Sequence, residues 1–446
     1  MNSKRLESFR IGNFLFYGAN VFSQQNKNFL LGDNGCSIFL CDELRMQIEN
    51  RTLTDALMLK LVQHGLAFVP GKKIFCCEKK IDIRYFIIDL TKQCNFNCIY
   101  CFRDMQNYSV IPESTLSNVL QYILNYCKRE SIHRIGIQLW GGEPILAMEQ
   151  IEHIVNFFRN TELKVSFDIE SNGSLISDEI AERLYQWGIH VGVSIDGTPK
   201  FQNMQRPFVS GAPSADAVKR GIQNLQRYYG KNIGGITVVT THNFRRIKEI
   251  LDYFIYDLNL HTMKFNVVRD NGHAAEKNLA LTTEEVMWFA NELLDYLQAF
   301  HILGAEFSEG NVVVRLKNLL ERSRISCCIS NGCKGGTQMI SFDHYGNIFP
   351  CEMIDFPEEK IGSIYDEEDI SEQIEKAMRS NRFFKKKTDD QCQECPWWCY
   401  CGGGCSSRNR YLNQDGKIDE VECALNRVIY PRLIDGMLKG YIRLEV

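Results

Sequence analysis

The sequence predicts an α/β protein: a run of parallel βα units, with a small α+β module before it and a loop-rich, cysteine-dense segment after it. Three observations carry this. Between residues 81 and 299, short β-branched and aromatic runs alternate with stretches of helical periodicity, the pattern of strands joined by crossover helices. Before residue 80 the strand-like pieces come first and the helical ones follow. After about residue 325 periodicity fades, and cysteine, glycine and loop residues dominate up to 423. With 446 residues the chain is long enough for two or three domains, and the expected divisions are 1–80, 81–310 and 311–446.

The elements follow in order. Strands are expected near 14–17, 29–31 and 37–40, then helices over 42–49 and 54–63, with Gly65 as the stop. This order suits a winged-helix-like module, and the charged stretch 71–80 reads as a linker or hairpin. The repeating units then begin. Strands are expected at 83–90, 135–139, 165–169, 190–195, 236–240 and 263–267. Helices are expected at 112–127, 149–158, 180–187, 215–228, 244–258 and 283–299. Thr282 and Glu285 fit a capping box for the last of these. Six such strands make either a partial barrel or an open sheet, and ligands of both sit at the strands' C-terminal ends.

The 51 basic and 55 acidic residues nearly balance, giving a net charge of −4 and no broad nucleic-acid footprint. No apolar run approaches the ~18 residues of a membrane span, and the first ten residues lack a signal peptide's apolar core. A cytoplasmic protein with no nucleic-acid or membrane partner is expected. Eighteen cysteines are then unlike a disulfide framework, because the cytosol keeps thiols reduced. They also cluster, which points to metal.

The first cluster is Cys94-x3-Cys98-x2-Cys101, just after the first strand of the repeating region. Three thiolates in one loop can hold three irons of a four-iron cube and leave the fourth open, where a cofactor binds. A structural zinc is the competing reading. Tyr100 precedes the last cysteine, Gly141-Gly142-Glu143-Pro144 follows the second strand, and Ser171-Asn172-Gly173 the third. Ser194-Ile195-Asp196-Gly197 ends the fourth strand, and Arg206 lies downstream. Together these closely resemble the radical S-adenosylmethionine superfamily, whose fold is a partial (β/α)6 barrel. The resemblance implies that the open iron chelates the cofactor and that an electron from the cluster cleaves it to a 5′-deoxyadenosyl radical. It further implies that Tyr100, Gly141, Gly142, Glu143, Asn172, Ser194 and Arg206 line the cofactor site. Glu143 would take the cofactor's amino group, Asn172 the ribose, and Ser194 and Arg206 the ribose and carboxylate.

Near the C-terminus, Cys333 and Cys351 flank Gly346, and Cys392-x2-Cys395-x5-Cys401-x3-Cys405 precedes Cys423. This looks like the SPASM extension of radical enzymes that modify ribosomally made peptides, shared by anaerobic sulfatase-maturating enzymes. The resemblance implies two auxiliary [4Fe-4S] clusters, three in all. Cys327 (or its neighbour Cys328), Cys333, Cys351 and Cys405 would hold one, and Cys392, Cys395, Cys401 and Cys423 the other. Zinc is the alternative for the CxxC pair. Glu352 occupies the place of an Asp that takes a substrate proton in the sulfatase-maturating relatives; a second-sphere carboxylate is the bland alternative.

The extra 80 N-terminal residues resemble a module that binds the leader of a precursor peptide as an added strand; a cap over the barrel is the plain alternative. The expected function is therefore peptide maturation that installs a thioether, carbon–carbon or related crosslink. The expected partners are a precursor peptide and an external electron donor such as flavodoxin or ferredoxin. Formylglycine formation on a sulfatase, and a non-catalytic iron–sulfur or zinc protein, are the alternatives.

Overall fold

The computed structural model describes residues 1–68, 81–103, 109–302, 306–320, 333–354, 356–385, 389–392, 394–411 and 416–442. The stretch 71–80 and Cys76, Cys77, Cys327 and Cys328 lie outside the described residues.

The N-terminal module is richer in strands than the sequence suggests. It has β1 (Asn2–Leu6), β2 (Phe9–Ile11), β3 (Phe14–Phe16), β4 (Ala19–Gln24), β5 (Lys27–Gly32), β6 (Ser37–Cys41) and β7 (Ala67–Phe68). They form two antiparallel sheets, ordered β1-β4-β5-β6 and β2-β3-β7. Helices Asp42–Glu49 and Asp55–Gln63 complete the module, the second capped by Thr54. β3, β5 and β6 stand where strands were expected; among those missed, β1 carries polar, exposed residues and β2 and β7 span three residues or fewer, too short for a period-2 signal.

The central strands are β8 (Tyr85–Thr91), β9 (Arg134–Gly141), β10 (Lys164–Ser171), β11 (Ile189–Ser194), β12 (Gly234–Val239) and β13 (Thr262–Val267). All pair in parallel, as crossover helices require. The sheet continues through β14 (Ser308–Glu309) beyond β13, and through β15 (Met339–Phe342), β16 (Asn347–Phe349) and β17 (Gly362–Ser363) beyond β8. β15 joins β8 in parallel, so the cysteine-rich segment extends the central sheet itself.

Alternation along the strands separates two faces. Phe86, Ile88, Leu90, Ile137, Leu139, Ile169, Val191, Val193, Met263 and Phe265 are buried in the main apolar core. The other face carries Asp89, Gln138, Trp140, Asp168, Glu170, Ser194 and Lys264. The register sets Asp89 beside Trp140 and Asp168 beside Gln138 and His190. The expected helix over 244–258 begins as 3₁₀ (Phe244–Arg246), is α over Ile247–Asp252 and ends as a π turn (Tyr253–Asp257). Thr282 and Glu285 cap helix Thr283–Ile302 reciprocally. That helix packs beside the long C-terminal helix Glu420–Lys439, and Phe22, Phe29 and Leu31 of the N-terminal module share the same core with Trp397 and Tyr400. Among the described residues no helix is long and apolar enough to cross a membrane.

Candidate functional site

The loop after β8 holds Cys94, Cys98 and Cys101 within one another's electrostatic reach. A facing segment fixes it: Asn97 and Ile99 donate backbone N–H groups to Pro207 and Gln205 at 2.8 and 2.9 Å, and Val209 donates to Asn95 at 3.0 Å. Phe96 packs edge-on to Phe208. Burial pushes the Cys94 thiol up to about 11 and Cys98 up to about 12. Both therefore stay protonated at neutral pH unless a metal displaces the proton.

Gly141 and Gly142 lie against the start of this loop. Gly142 N–H donates to Thr91 and Glu143 N–H to Gln93, each at 2.8 Å. A Cβ on Gly142 would stand 2.4 Å from the Gln93 carbonyl oxygen, so only glycine permits the approach. Glu143 is buried, and its carboxylate accepts from Ile145 N–H (3.1 Å), Ser171 Oγ (2.8 Å) and Asn172 N–H (2.7 Å). A carboxylate has about four lone-pair sites, which leaves about one for a further donor. Asn172 gives its Nδ2 to Asn95 Oδ1 at 2.7 Å, with Cys94 Sγ at 3.9 Å, and accepts from Ser174. In this structure its amide serves the cysteine loop. Ser194 is half-buried at the end of β11.

Arg206 Nη1 donates to Tyr100 Oη at 2.5 Å, and Tyr100 donates on to Asp196 Oδ2 at 2.6 Å. Asp196 is fully buried and also accepts from Val238 N–H at 2.9 Å. Burial pushes its carboxyl up, against the pull of the Arg206 charge and the Tyr100 bond. Arg206 Nε is buried with no hydrogen-bond partner among the described residues, a donor suited to an anionic cofactor group. The donor set thus fits an iron–sulfur centre beside a carboxylate-bearing cofactor. Asp196 was named in the sequence only within the segment that ends the fourth strand; its burial and its bond to Tyr100 are what the sequence did not disclose.

The later thiols form two groups. Cys333 and Cys405 both lie within electrostatic reach of Cys351. Cys392, Cys395, Cys401 and Cys423 line one concavity, with Trp397, Trp398, Ile418 and Arg427. Burial pushes Cys392 up to about 11 and Cys401 up to about 12. Gly402, Gly403 and Gly404 all have φ between 53° and 85°, the left-handed turn that carries the chain from one group to the other. Among the described residues no three His, Cys, Asp or Glu side chains close around a single-ion site.

Glu352, next to Cys351, keeps Oε2 buried without a hydrogen-bond partner among the described residues. Burial pushes its carboxyl up, with Arg269, Lys264 and Arg103 opposing. Arg269 was not singled out in the sequence; it follows β13 directly and reaches Cys405 Sγ at 3.4 Å.

Residues 88–254 match the radical SAM superfamily model. The cysteine-type anaerobic sulfatase-maturating enzyme of Clostridium perfringens (strain 13 / Type A) is 25% identical over 342 residues, covering 73% of this chain and 89% of the relative. Among solved structures, native anSMEcpe with bound AdoMet and Kp18Cys peptide gives a TM-score of 0.68 at 22% identity, over 80% of this chain and 99% of that one. Streptococcus suis SuiB bound to precursor peptide SuiA gives 0.58 at 15% identity, over 90% and 99%. At such identity the structural likenesses establish the fold. Residues 88–254 are thus a radical SAM domain, and the chain is an S-adenosylmethionine-binding iron–sulfur enzyme similar to the sulfatase-maturating relative.

Proposed function

We propose that the chain is a cytoplasmic peptide maturase that abstracts hydrogen from a ribosomally made precursor and installs a thioether, carbon–carbon or related crosslink. Cys94, Cys98 and Cys101 would hold the catalytic cluster. Cys333, Cys351 and Cys405 would hold one auxiliary cluster together with Cys327, which lies outside the described residues. Cys392, Cys395, Cys401 and Cys423 would hold the other. With cluster and S-adenosylmethionine bound, the centre supplies a 5′-deoxyadenosyl radical on receiving an electron from a donor such as flavodoxin or ferredoxin. Arg206 would hold the cofactor's carboxylate through its spare Nε, Tyr100 and Asp196 would fix that guanidinium, and Glu143 would accept one ammonium hydrogen. Ser194 would face the ribose, and Glu352 would take a substrate proton.

The observation that carries this reading is the N-terminal module. It shares a core with the cysteine-rich segment through Phe22, Phe29 and Leu31, and Tyr400 Oη donates to Gly35 O at 2.9 Å. Its β1 edge carries polar, exposed residues, open to an added strand. The likeness to peptide-bound SuiB also spans more of the chain than the likeness to anSMEcpe, 90% against 80%. A second reading, formylglycine formation on a sulfatase, is favoured by the 25%-identical Clostridium relative. Anaerobically reconstituted enzyme, given S-adenosylmethionine, a reductant and either short precursor peptides or a sulfatase-derived peptide, separates the two. Crosslinked product that disappears when residues 1–68 fail to bind the leader supports maturation; formylglycine on the sulfatase peptide alone overturns it. Cys98→Ala should abolish cofactor cleavage with either substrate.

A further inference from the structure

Arg269 joins the barrel to the first auxiliary thiol group in a way that cofactor holding does not explain. It stands just beyond β13, and its Nη1 reaches Cys405 Sγ at 3.4 Å and also bonds Ser407 Oγ. Ser407 Oγ lies 3.2 Å from the same sulfur. Cys351, Glu352 and Asp419 are the other charged or ionisable neighbours of the guanidinium. A second arginine crosses the same boundary in the opposite direction: Arg408 Nη1 donates to Val268 O at 2.9 Å, and its Nε to Asp419 Oδ2 at 3.2 Å. Asp419 in turn accepts from the Cys405 N–H. The chain then runs directly to the catalytic loop, where His273 N–H donates to Cys101 O at 3.2 Å and Gly272 packs against Phe102. The Cα atoms of Arg269 and His273 are at most about 14 Å apart, so one short segment touches ligand loops of both centres.

We propose that Arg269 is a positioning residue that raises the reduction potential of the auxiliary cluster held by Cys333, Cys351 and Cys405. This rests on the reading that those thiols carry a cluster. The physical reason is direct. Adding one electron makes a thiolate-ligated cluster more negative, and a fixed positive charge donating to a ligand sulfur favours the reduced form. A guanidinium keeps that charge at every working pH. The cluster would thus accept an electron more readily with Arg269 in place than without it.

The test uses the full chain with Cys94, Cys98 and Cys101 all changed to Ala, so that only auxiliary iron remains, about eight atoms per chain for two cubes. Redox titration is followed by electron paramagnetic resonance. Arg269→Met should retain the iron and lower one auxiliary midpoint by at least a tenfold change in the reduction equilibrium, about 59 mV for one electron. The second midpoint should stay fixed, and Arg269→Lys should recover part of the shift. Unchanged midpoints with iron retained overturn the proposal. If Arg269→Met loses its iron, the decision passes to Arg269→Lys and Ser407→Ala: a lowered midpoint in either supports the proposal, and wild-type midpoints in both overturn it. A triple-Ala parent that binds no iron overturns the auxiliary-cluster reading and, with it, the proposal.

Discussion

Gly142→Ala tests how the strand-end motif supports the cysteine loop. The new Cβ would stand 2.4 Å from Gln93 O, 2.8 Å from Gln93 C and 2.9 Å from Lys92 O. All three atoms are backbone, so no rotamer relieves the clash, and the chain just before Cys94 must move. The Gly142–Thr91 and Glu143–Gln93 bonds, each 2.8 Å, would break or stretch. Two hydrogen bonds at about 0.5–1.5 kcal/mol each, with overpacking of about 1–3 kcal/mol, put roughly 2–6 kcal/mol of strain into one loop. A displacement of about 1 Å at a positioned group can lower a rate about 100-fold. Iron analysis should therefore show a loss approaching about four irons per chain, with cofactor cleavage reduced at least as much. Gly188→Ala is the control. Gly188 has φ 73° and open space around it, so it bears only the left-handed penalty of about 1–2 kcal/mol and should keep its iron. Wild-type iron and cleavage in Gly142→Ala would refute the argument.

Asp196→Asn leaves the Arg206 charge buried without its carboxylate, so we expect a loss of about 3–5 kcal/mol in denaturant titration, and cofactor cleavage falling further than iron content. Arg315 is fully buried, bonds Asn426 at 2.8 Å and pairs with Glu422 at 2.5 Å, one residue before Cys423. Arg315→Met should cost about 3 kcal/mol and reduce iron in the C-terminal cavity, read by iron analysis in the triple-Ala background. Glu309 accepts from Phe265 and Val312 N–H groups, yet burial holds its carboxyl above the ordinary 4.5. The native state then binds the proton more tightly than the unfolded chain, so this component of stability is present below 4.5 and is lost as pH rises toward the folded value. Glu309→Gln should lack that component, and parallel pH profiles of the two unfolding midpoints would sink the assignment.

Much of the central sheet was legible because its strands are short runs in which β-branched, aromatic and other apolar residues recur at alternate positions, separated by amphipathic helices. The expected strand at 165–169 lies within β10, and the expected helix at 215–228 within Ala215–Tyr229. The short strand β7 of the N-terminal module was less legible, since its two residues are held by pairing with β3, some fifty positions earlier in the chain. The helix after Phe244 was legible as a helix, but its π turn was not, because the apolar spacing of its α, 3₁₀ and π stretches is too similar to separate over 15 residues.

The sequence by itself determined the chemistry on offer: three thiols in one loop, a second set of ten downstream, and glycines at a strand end where backbone must approach backbone. Those are local properties of spacing and residue type. Only the tertiary structure decided which polar groups are committed and which are spare. It gave Asn172 to the cysteine loop, hung Arg206 from Asp196 through Tyr100, and gathered Cys392, Cys395, Cys401 and Cys423 on one cavity wall. It also set Arg269 against Cys405, 136 residues away. Hydrogen bonds and charge act over a few ångströms, and distance along the chain says nothing about such proximity until the sheet is assembled.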